Sequence, residues 1–344
     1  MVADTTTASS ISAQKMITGT RRYACSPLPS TLLLFSLRPQ QCPALPFQGN
    51  NCYGSPLIDL WANDGPAWGI NNGANCTDDA QEGCVYEDDL FATEVLDAIE
   101  AHDPSTPLFL VWSPHIVHHP YQVPADALAP FADVDFEVRA RYAAMVTHLD
   151  SWVGKVKVAL KAKGMWDSTV WMVSSDNGGP VAAYGKPDKV FGQGGNNYPL
   201  KGGKTSNLEG GVRVNAFVSG GYLPEAARGR SVDGLSALCD VYTTFCAVAG
   251  ADPYDAVAEA YGLPAVDGVN LWPWLVGETD ASPRSEVPLG ATAPEAFQGD
   301  TSTDGGIPGD TIVQGLIRDD GFKLLIGVVE KCGVLTDVCT IPKQ

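Results

Sequence analysis

The sequence predicts an α/β fold: helices covering a mostly parallel sheet as an α/β/α sandwich, with a small C-terminal α+β subdomain. Apolar, β-branched and aromatic runs at residues 107–112 and 169–174 read as buried strands. Between them Val138, Tyr142, Met145, Leu149, Val153, Val156 and Leu160 recur at spacings of three and four, the period of a helix lying on a sheet. Strand–helix–strand alternation of this kind favours parallel pairing with both sheet faces covered.

The elements follow in chain order. Residues 89–101 read as an amphipathic helix that enters the 107–112 strand. That strand runs into Ser113-Pro114-His115-Ile116-Val117-His118-His119-Pro120, which holds three of the chain's five histidines. Histidines gathered after a buried strand can bind metal, hold an anion or move a proton. The long helix has a natural stop at Gly164. The 169–174 strand ends in Ser175-Asp176-Asn177-Gly178-Gly179. Adjacent carboxylate and amide oxygens there suit a hard cation, and ligands of open α/β sheets bind at the carboxyl ends of strands. The same residues are also ordinary turn chemistry. Next comes Pro199-Leu200-Lys201-Gly202-Gly203-Lys204-Thr205-Ser206, a glycine-rich loop where backbone can approach an anion closely. Residues 214–218 read as a third strand and 235–248 as a helix capped by Gly250. Residues 276–310, rich in Gly, Pro, Thr, Ser and Asp, read as an exposed linker. Strands of the C-terminal subdomain are expected within 313–329.

Composition narrows the class. At 344 residues the chain can bury a large core and a second small domain. No apolar run approaches the roughly 20 residues of a membrane-spanning helix. The net charge of −18 argues against nucleic acid as a partner. Its acidic runs, Asp78-Asp79 and Glu87-Asp88-Asp89, read as solvated faces. Nine cysteines is an odd count for a disulfide framework. Cys239 and Cys246, seven apart on one helix, are about 10 Å from each other and read as buried small hydrophobes. Cys52, Cys76 and Cys84, and Cys332 with Cys339, could be bridged in an oxidising compartment. Asn75-Cys76-Thr77 is a glycosylation sequon, and no signal peptide is evident at the start.

Five ordered segments resemble the sulfatase family of the alkaline-phosphatase-like superfamily, in particular arylsulfatases of the type that includes N-acetylgalactosamine-4-sulfatase. They are the strand leading to Val117-His118-His119-Pro120 and Gln122-Val123-Pro124; Tyr142 to Asp150 of the long helix; Ser174 to Gly179; Asn196 to Lys204 with Glu209-Gly210-Gly211-Val212-Arg213; and Gly315 to Leu325. The resemblance covers roughly residues 50–330. It implies that Asp176 and Asn177 are two of four protein ligands to one calcium. It also implies that His118 and Lys204 contact the sulfate group. The family's nucleophile is a formylglycine made from a cysteine in a Cys-x-Pro-Ser/Ala-Arg setting, and its hydrated aldehyde attacks sulfur. Cys25-Ser26-Pro27-Leu28-Pro29 resembles that segment in outline, with Pro29 where the family has Arg. The family's paired aspartates and its Gly-Lys-x-His-Leu-Gly segment have no counterpart. Residues 1–50 therefore read as a degenerate N-terminal segment, 51–275 as the catalytic-domain portion, and 276–344 as linker and subdomain. The Pro/Leu/Gln mix over 28–50 fits a deletion, a shifted reading frame or a wrongly assigned exon.

The resemblance implies metal-dependent hydrolysis of sulfate esters, on a small molecule or a sulfated glycan, and a secreted or lysosomal location. It leaves open a non-catalytic relic that binds a cation or a sulfated glycan. A phosphoesterase cousin using Ser or Thr is a third reading, for which Ser26 and Ser30 offer no convincing setting.

Overall fold

A computed structural model describes residues 86–118, 121–181, 194–204, 206–291 and 314–326, together with the backbone of short strands at 9–12, 31–33, 61–62 and 65–66. Cys25, Ser26, Ser30, Cys52, Asn75, Cys76, Asp78, Asp79, Cys84, His119, Cys332 and Cys339 lie outside the described residues. The chain divides into two compact units: Leu28–Trp166, and Met1–Pro27 with Asp167–Gln344. The boundary falls within the 51–275 portion read from the sequence.

In the 28–166 unit, strand β2 (Thr31–Leu33) pairs in parallel with β5 (Phe109–Val111), while β3 (Trp61–Ala62) and β4 (Gly65–Pro66) form a small antiparallel pair. Helix α1 (Glu87–Ala101) buries Ala92, Val95 and Ile99, one stripe at helical spacing. A short α2 (Ala125–Leu128) precedes α3 (Glu137–Ala162). The α3 stripe expected from the sequence faces inward: Met145, Val156 and Leu160 are buried, and Val138, Tyr142, Leu149 and Val153 are half-buried. Ile116, Val123, Ala144 and Met145 form the local core. Helix α3 ends at Lys163, with Gly164 at φ 69°, and the Lys163 Nζ donates to the Glu100 carbonyl at 2.7 Å. Asp89 meets His148 and Trp152 while Glu100 meets Lys163, so α1 and α3 run side by side in the same direction.

In the other unit, β6 (Trp171–Ser174) and β7 (Arg213–Ser219) pair antiparallel, and β1 (Ser9–Ser12) adds antiparallel to the far edge of β7. The parallel order expected of the 169–174 strand is thus confined to β2 and β5 among the described pairs. Among the described residues of the connection from β6 to β7 the one helix is the single-turn α4 (Glu209–Val212), and β7 returns antiparallel alongside β6. Val214 and Ala216 point into the core, with Arg213 and Asn215 outward. Helix α5 (Cys239–Ala249) ends at Gly250 in the left-handed region, as its sequence predicts. Cys239 is half-buried, Cys246 is buried, and both are free thiols. The short helices α6 (Ala256–Ala260) and α7 (Trp272–Val276) follow.

The region read as linker differs from expectation. Strand β8 (Glu286–Ala291) lies within it and pairs antiparallel with β9 (Gln314–Arg318), which pairs with β10 (Lys323–Ile326). Val287 and Leu289 alternate inward onto Val212 and Ala237. That two-residue alternation was outweighed in the sequence by the surrounding Gly, Pro and Ser.

Candidate active site

The turn after β6 and the lysine loop before α4 are bound to each other through backbone. Ser175 N–H donates to the Asn215 carbonyl on β7 at 3.1 Å, which places the turn at the carboxyl end of β6. Gly178 N–H donates to the Gly211 carbonyl at 2.9 Å. Asn197 acts as a clamp: its Oδ1 accepts from Gly179 N–H at 2.9 Å, and its Nδ2 donates to the carbonyls of Gly179 (2.8 Å) and Gly202 (3.1 Å). The Lys204 amide then donates to the Gly179 carbonyl at 3.2 Å. Asp176, Asn177 and Lys204 are therefore carried on two adjoining segments of one unit. Asn197 lies within the segment that resembles the family, and nothing in the residue order signals that its side chain bridges Gly179 and Gly202.

The glycines between these segments are required by space. A Cβ on Gly178 would lie 1.7 Å from the Gly210 carbonyl oxygen, and one on Gly210 would lie 2.2 Å from that of Gly202. Glu209 at the start of α4 pairs with Lys323 of β10 at 2.8 Å, fixing the outer end of the loop.

As a cation site, the turn is partial. Asp176 is exposed and its Oδ1 accepts from Asn177 N–H at 2.8 Å, while Asn177 is half-buried with its Nδ2 on the Gly178 carbonyl at 2.9 Å. Two side chains supply few oxygens against the six to eight ligands that calcium takes. Among the described residues no group of three or more His, Cys, Asp or Glu side chains could hold a metal ion. The described residues alone do not fit a complete calcium shell.

His118 belongs to the 28–166 unit, on the turn that leaves β5. Its amide donates to the His115 carbonyl at 2.9 Å. The histidine cluster separates by role. His115 Nδ1 lies 2.6 Å from Glu87 Oε2, and its ring stands edge-on to Phe91 with centroids 5.6 Å apart. His115 is thus a structural brace, and His118 is half-buried.

Glu87-Asp88-Asp89 is not the solvated face expected from the sequence: each of the three carboxylates is held by a partner from another element. Asp88 is only 6% exposed; its Oδ1 accepts from His115 N–H at 2.8 Å and from Ile116 N–H at 3.4 Å. Asp89 Oδ1 takes His148 Nε2 at 2.5 Å and Trp152 Nε1 at 2.6 Å. Although burial works against ionisation of Asp89, these bonds outweigh it and hold the carboxyl below its ordinary range. The sequence offered no signal for this, because the partners lie 27 to 63 residues away.

Burial pushes the Asp88 carboxyl up from 3.8 to about 6, with the two backbone amides and His115 opposing the shift and Glu87 adding to it. Between those values the folded chain binds the Asp88 proton more tightly than the unfolded chain, so this group's contribution to stability is greatest below about 3.8 and is lost as pH rises through about 6. The expected contribution is about 3 kcal/mol. Chemical denaturation of wild type and Asp88→Asn from pH 4 to pH 7 should show this slope reduced in the variant.

The sulfatase family profile matches residues 40–251. The chain is 30% identical over 271 residues to arylsulfatase J of Mus musculus, covering 78% of this chain and 40% of that protein. It is 31% identical over 188 residues to N-acetylgalactosamine-6-sulfatase of Homo sapiens, covering 54% and 32%. It therefore spans two-fifths or less of the length of these relatives. Among solved structures, Ps i-CgsB in complex with k-i-k-neocarrahexaose aligns with a TM-score of 0.56 and 26% identity, over 73% of this chain and 48% of that one. Among the described residues no helix is long and apolar enough to cross a membrane. The profile covers well over half of the sequence, including the turn, the clamp and the lysine loop, and the chain belongs to the sulfatase family, with its alkaline-phosphatase-like α/β fold.

Proposed function

We propose that this chain carries a sulfate-ester site of the arylsulfatase type, whose family activity is hydrolysis of sulfuric esters. The observation that supports it best is the joining of the Asp176-Asn177 turn to the Lys204 loop through Asn197 and Gly179. Sulfuryl transfer needs fixed positive charge where negative charge accumulates. Lys204 supplies an ammonium group on a loop pinned at both ends. His118 is proposed as a further sulfate contact and Asp176 with Asn177 as ligands to calcium, which when bound would add charge to the sulfuryl oxygens. Substrates would be sulfate esters of small alcohols or of glycans, met in a secretory or lysosomal compartment.

Turnover also needs a nucleophile. Cys25 is the candidate, and formylglycine conversion there is opposed by Pro29, which stands where the modification motif has Arg. An unconverted thiol could accept the sulfuryl group, but it has no hydroxyl through which to release sulfate. This favours, as a second reading, a chain that binds sulfate esters or a cation without turning esters over. The test is co-expression with a formylglycine-generating enzyme, mass analysis of the Cys25 peptide, and assays of 4-nitrophenyl sulfate hydrolysis and binding. We expect an unmodified Cys25, hydrolysis at background, and binding weakened at least tenfold by Lys204→Ala. An aldehyde mass at Cys25 with turnover lost in Lys204→Ala would overturn the non-catalytic reading. No binding of the ester by the wild-type chain would overturn the sulfate-ester site in both readings.

A further inference from the structure

The turn that carries His118 is held by the buried carboxylate at the start of α1. Asp88 is the second residue of that helix, where the aligned backbone dipoles favour an anion. It accepts the amide N–H groups of His115 and Ile116, and the His115 carbonyl in turn accepts the amide of His118. Two hydrogen bonds in series therefore connect the Asp88 carboxylate to the His118 backbone. Ile116, between them, is buried against Val123 and Met145, and Glu87 fixes the His115 ring beside the turn. Removing a carboxylate from water is costly, and an exposed Ser or Asn could close a local turn without that cost. What the buried carboxylate adds is a rigid link from helix α1 to the backbone of the residue before the His118 turn closes.

We propose that Asp88 is a positioning residue for His118: it touches no substrate, and it sets where the His118 imidazole stands. The role of His118 toward sulfate rests on the function proposed above. The brace itself stands on the hydrogen bonds.

The test uses full-length protein labelled with ¹³C,¹⁵N-histidine, with imidazole spectra recorded without and with sodium sulfate. His118→Ala assigns the resonance. His148, which is bound to Asp89 rather than to Asp88, reports folding. Asp88→Asn keeps an oxygen acceptor and should leave the His118 resonance in place and the sulfate affinity within twofold of wild type. Asp88→Ala should displace or broaden His118 and weaken sulfate at least fivefold, with His148 unchanged. If Asp88→Ala loses the native His148 resonance, Asp88→Glu decides: the charge is kept, the acceptor is moved by a methylene, and His118 should shift. An unmoved His118 resonance in a folded Asp88→Ala or Asp88→Glu variant overturns the brace. A wild-type His118 resonance indifferent to sulfate overturns the sulfate-site reading, and the sulfate-free spectra of the variants distinguish that failure from failure of the brace.

Discussion

Asp240→Ala should remove about 3–5 kcal/mol of stability, the usual cost of breaking a buried ion pair from one side. Asp240 is fully buried in the first turn of α5. Its Oδ2 accepts from Ala237 N–H at 2.7 Å and Arg284 Nε at 2.8 Å; its Oδ1 accepts from Val269 N–H at 2.9 Å and from Arg284 Nη2. Arg284 Nη2 also donates to the Asp267 carbonyl at 2.9 Å. One carboxylate thus joins the start of α5, the 267–269 segment and the chain entering β8. Alanine would leave a guanidinium and two amides without their acceptor, in a molecule whose whole stability is of the order of 5–15 kcal/mol. Urea denaturation of the variant should show a markedly lower midpoint or no folded baseline. A loss under about 1 kcal/mol would mean that water reaches Arg284 and the pair is not the structural hub described.

That hub marks where the sequence stops being readable. Local periodicity identified α3, because Met145, Val156 and Leu160 recur on one face of a single helix. It identified the ends at Gly164 and Gly250 from the chemistry of left-handed backbone. The candidate-site segments could be picked out because Asp176, Asn177 and Lys204 sit in short motifs whose residue order is itself informative, and the structure joins those two segments through Asn197 and Gly179. Long-range pairings were not legible. Asp240 and Arg284 are 44 residues apart, and each alone looks like an ordinary surface charge. Asp88 failed for the same reason: a triplet of acids at a helix start is usually solvated, and only the fold brings His115 and Ile116 over it. Strand β8 was hidden by composition, since two inward residues are too few to outweigh the glycines and prolines around them. The antiparallel direction of β6 and β7 is set by how the chain returns between them, which residue patterns in the strands themselves do not report.

Gly178→Ala should disable the proposed sulfate site without removing a charge or a candidate ligand. The added Cβ would lie 1.7 Å from the Gly210 carbonyl oxygen and 3.0 Å from the Gly211 Cα. These are backbone atoms, so no side chain can swing aside. The turn must separate from α4, breaking the Gly178–Gly211 hydrogen bond and pulling Gly179 away from the Lys204 amide. The stability cost should be about 1–3 kcal/mol, as for other overpacked positions, and 4-nitrophenyl sulfate binding should fall as far as in Lys204→Ala. Gly154→Ala is the matched control. It lies on the exposed face of α3 with nothing within 4 Å of an added Cβ, and replacing a helical glycine there should stabilise by about 0.5–1 kcal/mol. Thermal unfolding and ligand titration of both variants separate the effect of closing space at the turn from the effect of adding a methyl group. A Gly178→Ala protein that melts and binds sulfate ester like wild type would show that the turn and the lysine loop are not held together as the backbone contacts indicate.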